Sequence, residues 1–299
     1  MNTIELKGVT KTFDGFKALD ALDLTVPEGS VYGLVGPNGA GKTTAIRHMT
    51  GMLRPDAGQV LLLREPVWEN TAVKARMACI PDEPWFFSGA STRDMMAFYR
   101  ELYPRFDQGR YEKLRAAFAL DEQRPIRRLS RGMRKQSAFW LALSLRPEVL
   151  ILDEPVDGLD PVMRRQVWSL LMGDVAENGT SVLVSSHNLR ELEDVCDRIG
   201  ILQRGRCLLE KSVADLQETT VKFVLALPEG TKLPEGLDIL HDSAAGQLRT
   251  LILRGREEEL REKLQSVHPR FLDSQPMTLE EIFIYEMGGA DYAVKELLL

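Results

Sequence analysis

Cysteine, long apolar runs and net positive charge are all scarce in this sequence of 299 residues. It has only three cysteines and no C-x-x-C pair. A disulfide framework is therefore excluded, a zinc site is not indicated, and buried free thiols in a reducing cytosol are expected. The apolar run at 149–152 ends at Asp153, whereas a membrane-spanning helix needs roughly 20 apolar residues. If the protein works at a membrane, we expect another chain to cross it.

The formal net charge of −6 does not favour a nucleic acid as the main partner, because duplex binding usually needs a basic face. Residues 1–7 lack a basic segment followed by an apolar stretch, which argues against a signal peptide. What the sequence does contain is an ordinary globular composition, 44% hydrophobic and 27% charged. Its length suits one large domain or two smaller ones.

Short β-type runs alternate with helical patterns early in the chain, which predicts an α/β domain over residues 1–211. The pattern becomes helical between about 84 and 148 and then returns to strands, which predicts an all-helical insertion. Beyond it, turn-rich segments indicate a small α+β accessory domain over 212–299. Strands are predicted at 3–9, 31–35, 59–63, 77–80, 149–152, 181–184 and 248–253, and helices after Lys42 and over 161–177, 257–264 and 278–285.

A glycine-rich segment follows the strand at 31–35 and matches the phosphate-binding pattern G-x-x-x-x-G-K-[ST]: Gly36, Pro37, Asn38, Gly39, Ala40, Gly41, Lys42, Thr43 and Thr44. Its glycines let backbone N–H groups point at phosphate oxygens, and the next helix adds its positive end. Lys42 is expected to contact the β- and γ-phosphates, and Thr43 to bind Mg²⁺. No asparagine is followed by lysine, so the guanine-reading N-K-x-D motif is absent and ATP is expected.

The apolar strand at 149–152 ends in two carboxylates, Asp153 and Glu154. A buried strand delivers Asp153 to the edge beside the phosphate loop, where it can hold Mg²⁺ through water. Since neighbouring side chains on a strand point in opposite directions, we expect Glu154 to have a separate task, orienting and deprotonating the attacking water. A structural strand end is the alternative for this segment alone, and the phosphate loop upstream favours the catalytic interpretation.

The segment at 129–136 begins Leu-Ser-Arg-Gly-Met and resembles the signature Leu-Ser-Gly-Gly-Gln of the ABC ATPase family, with Arg131 and Met133 as departures. Ser130 is expected to cap the following helix; an ordinary capped basic helix is the alternative for this segment alone. The resemblance runs from about residue 4 to 211. It implies a P-loop NTPase (RecA-like) core with an N-terminal antiparallel β subdomain. It also implies that Ser130 and Gly132 face the γ-phosphate held by a second subunit, in a homodimer or heterodimer that clamps two ATP molecules head to tail.

Three further residues match positions of this family's motifs. Asp160, in the Gly-Leu-Asp segment at 158–160, resembles the D-loop residue that carries contacts across the dimer. His187 matches the switch histidine that reaches the γ-phosphate, where imidazole can donate a hydrogen bond. Phe13 lies where family members place an aromatic ring on adenine, and a core phenylalanine is its alternative.

Asp82 departs from the family pattern, which has glutamine here as a contact to Mg²⁺ and the attacking water. Aspartate can also bind Mg²⁺, but its side chain is one methylene shorter and carries a negative charge. We expect weaker direct coordination or a water-bridged contact, with activity retained. Glu83 is a second candidate ligand.

The resemblance favours an ATP-binding transporter subunit with a separate transmembrane permease, located in the cytoplasm on the inner face of the membrane. The interval from Thr44 to Leu129 is too short for the coiled coil of chromosome-organising relatives, and only one phosphate loop is present. The segments at 185–198 and 279–283 are similar to bacterial export-type ATPases.

Two other classes stay open. One is a soluble regulatory or ribosome-associated ABC protein, and the other is a nucleotide-binding assembly module with poor hydrolysis, which Glu154 and His187 disfavour. The aromatic residues at 85–87 fall where the family grips its permease. They form either an exposed docking site or a seal between the helical insertion and the core.

Overall fold

The structure is a computed structural model, and it describes residues 1–228 and 230–286. The chain divides into two compact units, the first comprising 1–187 and 198–210, the second 188–197 and the described residues from 211 onward. Glu229 and the last 13 residues of the predicted accessory domain, 287–299, lie outside the described residues. Within the described ranges, no helix has the length and apolar character that crossing a membrane requires.

Most elements of the chain belong to the first unit. In order they are β1 (Asn2–Phe13), β2 (Phe16–Pro27), β3 (Val31–Val35), α1 (Lys42–Met49), β4 (Ala57–Leu62), β5 (Glu65–Pro66), α2 (Thr71–Lys74), β6 (Met77–Ile80), α3 (Thr92–Leu102), α4 (Gln108–Phe118), α5 (Arg131–Ser144), β7 (Val149–Asp153), α6 (Pro161–Asn178), β8 (Ser181–Ser186), β9 (Arg198–Gln203) and β10 (Arg206–Ser212). The last two residues of β10 fall in the second unit.

A six-stranded sheet in the order β10-β9-β3-β8-β7-β6 forms the centre of the first unit. The pairs β3–β8, β3–β9, β7–β8 and β6–β7 are parallel. Every residue of β3, β7 and β8 is buried, as expected for parallel strands covered on both faces. This arrangement confirms the α/β prediction and brings the carboxyl ends of three central strands to one edge of the sheet.

A second sheet of the first unit is antiparallel, in the order β2-β1-β4-β5. Its two long strands, β1 and β2, pair along their length and bury alternate apolar residues such as Ile4, Leu6, Leu22 and Leu24. This confirms the antiparallel β subdomain. The hairpin turn between these strands carries Phe13 and Phe16 to its tip.

Helices α3, α4 and α5 make up the predicted helical insertion. Ser91 and Asp94 form a reciprocal capping box at the start of α3. On α5, Trp140 is fully buried, stacks on Tyr111 of α4 at a centroid distance of 4.6 Å and donates its indole N–H to the Tyr111 carbonyl. The aromatic pair fixes α5 against α4 and thereby places the N-terminus of α5.

The second unit contains α7 (Val213–Thr219), β11 (Thr220–Ala226), β12 (Asp238–Ala245), β13 (Leu248–Arg254), α8 (Glu257–Gln265), β14 (Phe271–Gln275) and α9 (Leu279–Glu286). Its sheet is antiparallel in the order β12-β13-β11-β14, and α8 packs Leu260 and Leu264 into its core. Within this unit, Arg190 donates to Glu280 at 2.6 Å, and the Leu279 N–H donates to Glu193. Segment 188–197 is therefore bound to the start of α9.

The three cysteines are free. Burial raises the pKa of Cys79 to about 12, with the nearby charge of Asp153 adding to the effect. Burial likewise raises the pKa of Cys207 to about 11. These thiols are therefore protonated at neutral pH, in keeping with the free thiols expected from the sequence.

Candidate active site

The phosphate loop turns sharply between β3 and α1, and two of its glycines are required by their surroundings. A Cβ on Gly36 would lie 2.3 Å from the Leu202 carbonyl oxygen of β9. Gly41 has a φ of 109°, and a Cβ there would lie 2.8 Å from the Ala18 carbonyl oxygen. The loop is thus pressed against neighbouring backbone, and its form depends on the absence of side chains at these positions.

Lys42 is the first residue of α1, and its side chain is buried inside the loop. Its Nζ donates to the Gly36 carbonyl at 2.6 Å and to the Pro37 carbonyl at 3.4 Å. Nζ also lies 3.4 Å from Glu154 Oε1. The ammonium group is therefore held at the centre of the loop, where an incoming anion can replace the carboxylate partner.

Thr43 and Asp153 meet beside Lys42. The Thr43 hydroxyl donates to Asp153 Oδ2 at 2.8 Å, and the Ser185 hydroxyl of β8 donates to Asp153 Oδ1 at 2.6 Å. The Asp153 side chain is buried. A hydroxyl and an orientated carboxylate are the hard oxygen donors that Mg²⁺ prefers, so this donor set fits that ion.

Glu154 leaves the strand with a φ of 47°, in the left-handed region. Its carboxylate contacts Lys42 through Oε1 and accepts from the His187 ring, whose Nδ1 lies 2.9 Å from Oε2. Glu154, His187 and Asp157 each offer one ligand atom, and these atoms lie within 4.8 Å of one another. The carboxylate and the imidazole expected to act on the terminal phosphate are thus in direct contact.

An open cleft of about 430 Å³ joins these groups to the tip of the β1–β2 hairpin. Phe13 lines the cleft, is 42% exposed and has Lys11 Nζ at 5.5 Å from its ring centroid. This exposure disfavours the alternative of a core phenylalanine. Phe16 also lines the cleft, and the other lining residues are Ala18, Pro37, Asn38, Gly39, Ala40, Gly41, Lys42, Thr43, Thr44, Asp82 and Glu154.

Asp82 borders the same cleft, but its carboxylate has protein partners. Oδ1 accepts from Arg131 at 2.9 Å and from Lys135 at 3.1 Å, both on α5. Burial raises the pKa of Asp82, but the hydrogen bonds and charges of the two cations outweigh that effect and hold it below its usual range. Asp82 is therefore an anion shared by the cleft and the first turns of α5.

The N-terminus of α5 lies outside this cleft. Ser130 caps the helix, its hydroxyl accepting the Met133 N–H, and a Cβ on Gly132 would lie 2.6 Å from the Gly158 carbonyl oxygen. Asp160 caps α6 by accepting hydrogen bonds from N–H groups in the first turn of that helix. The described residues that line the cleft do not include Ser130, Gly132 or Asp160.

Sequence reasoning missed four residues of this region. Ser185 orients Asp153, Phe16 lines the cleft, Asp157 joins the Glu154–His187 pair, and Lys135 donates to the Glu154 carbonyl. A local signal existed for Ser185 and Asp157, because each lies within three residues of a predicted site residue. Phe16 and Lys135 are equally near the predicted residues Phe13 and Gly132, but the contacts of Lys135 were not predictable because they depend on how α5 packs.

Comparison with known proteins agrees with the nucleotide-binding site described above. A family model described as ABC transporter matches residues 19–157. The ABC transporter ATP-binding protein YtrB of Bacillus subtilis (strain 168) is 31% identical over 289 residues, covering 96% of this chain and 98% of that protein. The daunorubicin resistance ATP-binding protein DrrA3 of Streptomyces coeruleorubidus is 31% identical over 314 residues, with 98% of each covered. A solved ATP-binding subunit of an ABC transporter superposes with a TM-score of 0.67 at 25% identity, over 72% of this chain and 92% of that chain.

Proposed function

The chain belongs to the ABC ATPase family as the ATP-binding, ATP-hydrolysing subunit of a transporter, and from this premise we propose that it drives export through a separate membrane permease. The observation that carries the catalytic part is the cluster of Lys42, Thr43, Asp153, Glu154 and His187 at the carboxyl ends of the central strands. Daunorubicin resistance, named for one relative, favours export over import.

The phosphates of ATP would be held by the N–H groups of the phosphate loop, the N-terminus of α1 and Lys42. Bound Mg²⁺ would offset the negative charge on the β- and γ-phosphates. Thr43 and Asp153 are the residues that would hold this ion, with Ser185 keeping the carboxylate orientated. Asp82 already serves two cations through Oδ1, so we propose that it reaches the metal through water.

Glu154 would act as the base that orients and deprotonates the attacking water. In this structure its carboxylate is bound to Lys42 and His187. A γ-phosphate would attract both of these groups, because it offers stronger anionic acceptors, and would leave the carboxylate available to the water. His187 Nδ1 lies 2.9 Å from Glu154 Oε2 here, so donation from this nitrogen to the phosphate would require release of that contact.

The adenine ring would stack on Phe13, whose exposed face borders the cleft, with Phe16 beside it. Ser130 and Gly132 would contact the γ-phosphate of a second subunit, since the N-terminus of α5 is an anion site outside the chain's own cleft. We propose that Asp160 lies at the same dimer interface.

The permease would dock on an exposed aromatic patch formed by Trp85, Phe87 and Phe98. Trp85 is 71% exposed, and the Phe87 ring contacts Trp85 and Phe98 edge to face at centroid distances of 5.2 and 5.0 Å. Trp85 also borders a groove of about 190 Å³ lined by Tyr99, Tyr103 and Leu145. An aromatic patch beside a groove suits a helix from a partner, which would place the chain on the inner face of the membrane.

A pull-down tests this proposal. Tagged Glu154→Gln protein with ATP and Mg²⁺ is incubated with detergent-solubilised native membranes, and its partners are identified by mass spectrometry. We expect to recover a multi-span membrane protein, and its recovery should fall when Trp85→Ala is added to Glu154→Gln. Recovery of ribosomal proteins and no membrane protein would favour the regulatory or ribosome-associated alternative and would contradict the transport role.

A further inference from the structure

Lys135 is a fully buried cation on α5 that reaches the catalytic segment. Its Nζ donates to the main-chain carbonyl of Glu154 and, at 3.1 Å, to Asp82 Oδ1. Removing an ammonium group from water is costly unless acceptors replace the lost hydration. These two acceptors therefore determine where the Lys135 side chain rests.

The backbone of Glu154 requires support because its φ of 47° is uncommon for a residue with a Cβ. Its N–H is held by Ser185, through the main-chain oxygen at 3.2 Å and the hydroxyl at 3.1 Å. Its carbonyl is held by Lys135. The residue is thus fixed on both sides, and its carboxylate is directed toward Lys42 and His187.

Asp82 supplies the charge that balances Lys135. The same oxygen accepts from Arg131 at 2.9 Å. Asp82 and Arg131 are two of the positions at which this chain departs from the ABC motifs, and the structure brings them together in one ion-paired cluster. Asp82 therefore has a task on α5 that an uncharged glutamine does not share.

We infer that Lys135 is a positioning residue for ATP hydrolysis, which holds the Glu154 backbone so that the carboxylate faces the cleft, with Asp82 as its counter-charge. The inference rests on the proposed role of Glu154 as the base. It also makes the geometry of Glu154 depend on the loop that carries Asp82.

The test compares ATP hydrolysis by the full-length chain and its Lys135→Met variant at saturating Mg²⁺. We expect kcat to fall about tenfold or more, because small misplacements of a catalytic group are costly, while KM and the affinity for ATP change less than about threefold. Lys113→Met is the matched control, since Lys113 is exposed on α4, and its kcat should equal that of the unmodified chain. A lower melting temperature with unchanged kcat would show a purely structural role and overturn the inference.

If Lys135→Met does not fold, a second variant tests the inference. Asp82→Asn removes the counter-charge from a half-exposed side chain, and we expect kcat at saturating Mg²⁺ to fall about threefold to tenfold as Lys135 loses its anchor. An unchanged kcat with a higher Mg²⁺ requirement would assign Asp82 to the metal alone and contradict the inference. Glu154→Gln is measured in parallel: if it hydrolyses ATP at the unmodified rate, the proposed base fails as well, whereas its inactivity leaves the proposed base standing whatever Lys135 does.

Discussion

Gly132 lies where the first turn of α5 meets the loop before α6. A Cβ there would lie 2.6 Å from the Gly158 carbonyl oxygen, a distance that real Cβ atoms essentially never show. Because the contact is with backbone, no rotation of a side chain can relieve it. The glycine of the signature is therefore explained by packing within one chain as well as by its proposed contact with phosphate.

We predict that Gly132→Ala displaces the N-terminus of α5 and weakens ATP-driven association, while binding of ATP to the chain's own phosphate loop is retained. Titration with a fluorescent nucleotide measures ATP binding. Light scattering measures association of the Gly132→Ala variant made in the Glu154→Gln background. Gly173→Ala is the matched control, since Gly173 lies within α6 with open space at its Cβ. It should be neutral or stabilising by about 0.5–1 kcal/mol. Unimpaired association of Gly132→Ala would contradict the packing argument.

The sequence predicted two carboxylates at 153–154 and separate tasks for them from strand alternation, but only Asp153 lies in β7, and the two side chains diverge because Glu154 turns out of the strand. It did not predict the left-handed turn at Glu154, since no glycine or asparagine marks it. The partners of Asp82 were also out of reach, because Arg131 and Lys135 are 49 and 53 residues away and meet it only through the packing of α5. The positions of candidate residues were thus accessible from motif spacing, and contacts fixed by tertiary packing were not.

At the scale of secondary-structure elements, the loop before α3 and the helix itself display the aromatic patch of Trp85, Phe87 and Phe98. The sequence left open whether these rings dock a partner or seal the helical insertion. Trp85 is 71% exposed, so replacing it with alanine removes little buried apolar area and should change the stability of the chain little. The exposed position favours docking for Trp85, which borders the same groove as Phe86.

We therefore predict that Trp85→Ala lowers the affinity for the permease about tenfold or more, as expected for an exposed aromatic anchor, and shifts the melting temperature by less than about 2 °C. Trp68→Ala, at a half-exposed tryptophan of the loop between β5 and α2, should leave permease binding intact. Binding is measured by co-purification with the permease, and stability by calorimetry. Parallel losses of binding and melting temperature would instead favour the sealing role.

Several elements with a simple pattern were predicted, but others were missed, among them the apolar strands β9 and β11. The strands at 31–35, 77–80 and 149–152 are short apolar runs, and the helix from Pro161 has its proline at the first turn. The long strand β2 escaped notice because Ala21, with a φ of 49°, and several register shifts against β1 interrupt its alternation. Strand β12 is mostly exposed, and its apolar residues occur in adjacent pairs that do not alternate with polar ones.

At the scale of the whole molecule, the distribution of the proposed ATP contacts leads to a proposal for the oligomeric state. The phosphate loop, Glu154 and the aromatic tip of the β1–β2 hairpin border one cleft. Among the described residues, Ser130 and Gly132 do not line it. Ser130 caps the N-terminus of α5, which we propose faces the γ-phosphate of a second subunit. We therefore propose that one chain supplies two incomplete halves and that two chains arranged head to tail complete two sites.

We predict that Glu154→Gln forms a stable dimer with millimolar ATP and Mg²⁺, because the bound nucleotide then joins both halves of each site and is not hydrolysed. Size-exclusion chromatography with light scattering should report about twice the 33.7 kDa mass of one chain. The same variant with ADP, and Lys42→Ala with ATP, should keep the mass of one chain, since the first lacks the γ-phosphate and the second its main cation. If Glu154→Gln binds ATP yet stays monomeric, with or without the permease, the head-to-tail arrangement is wrong for this protein, and Ser130 and Gly132 serve only to start and pack α5.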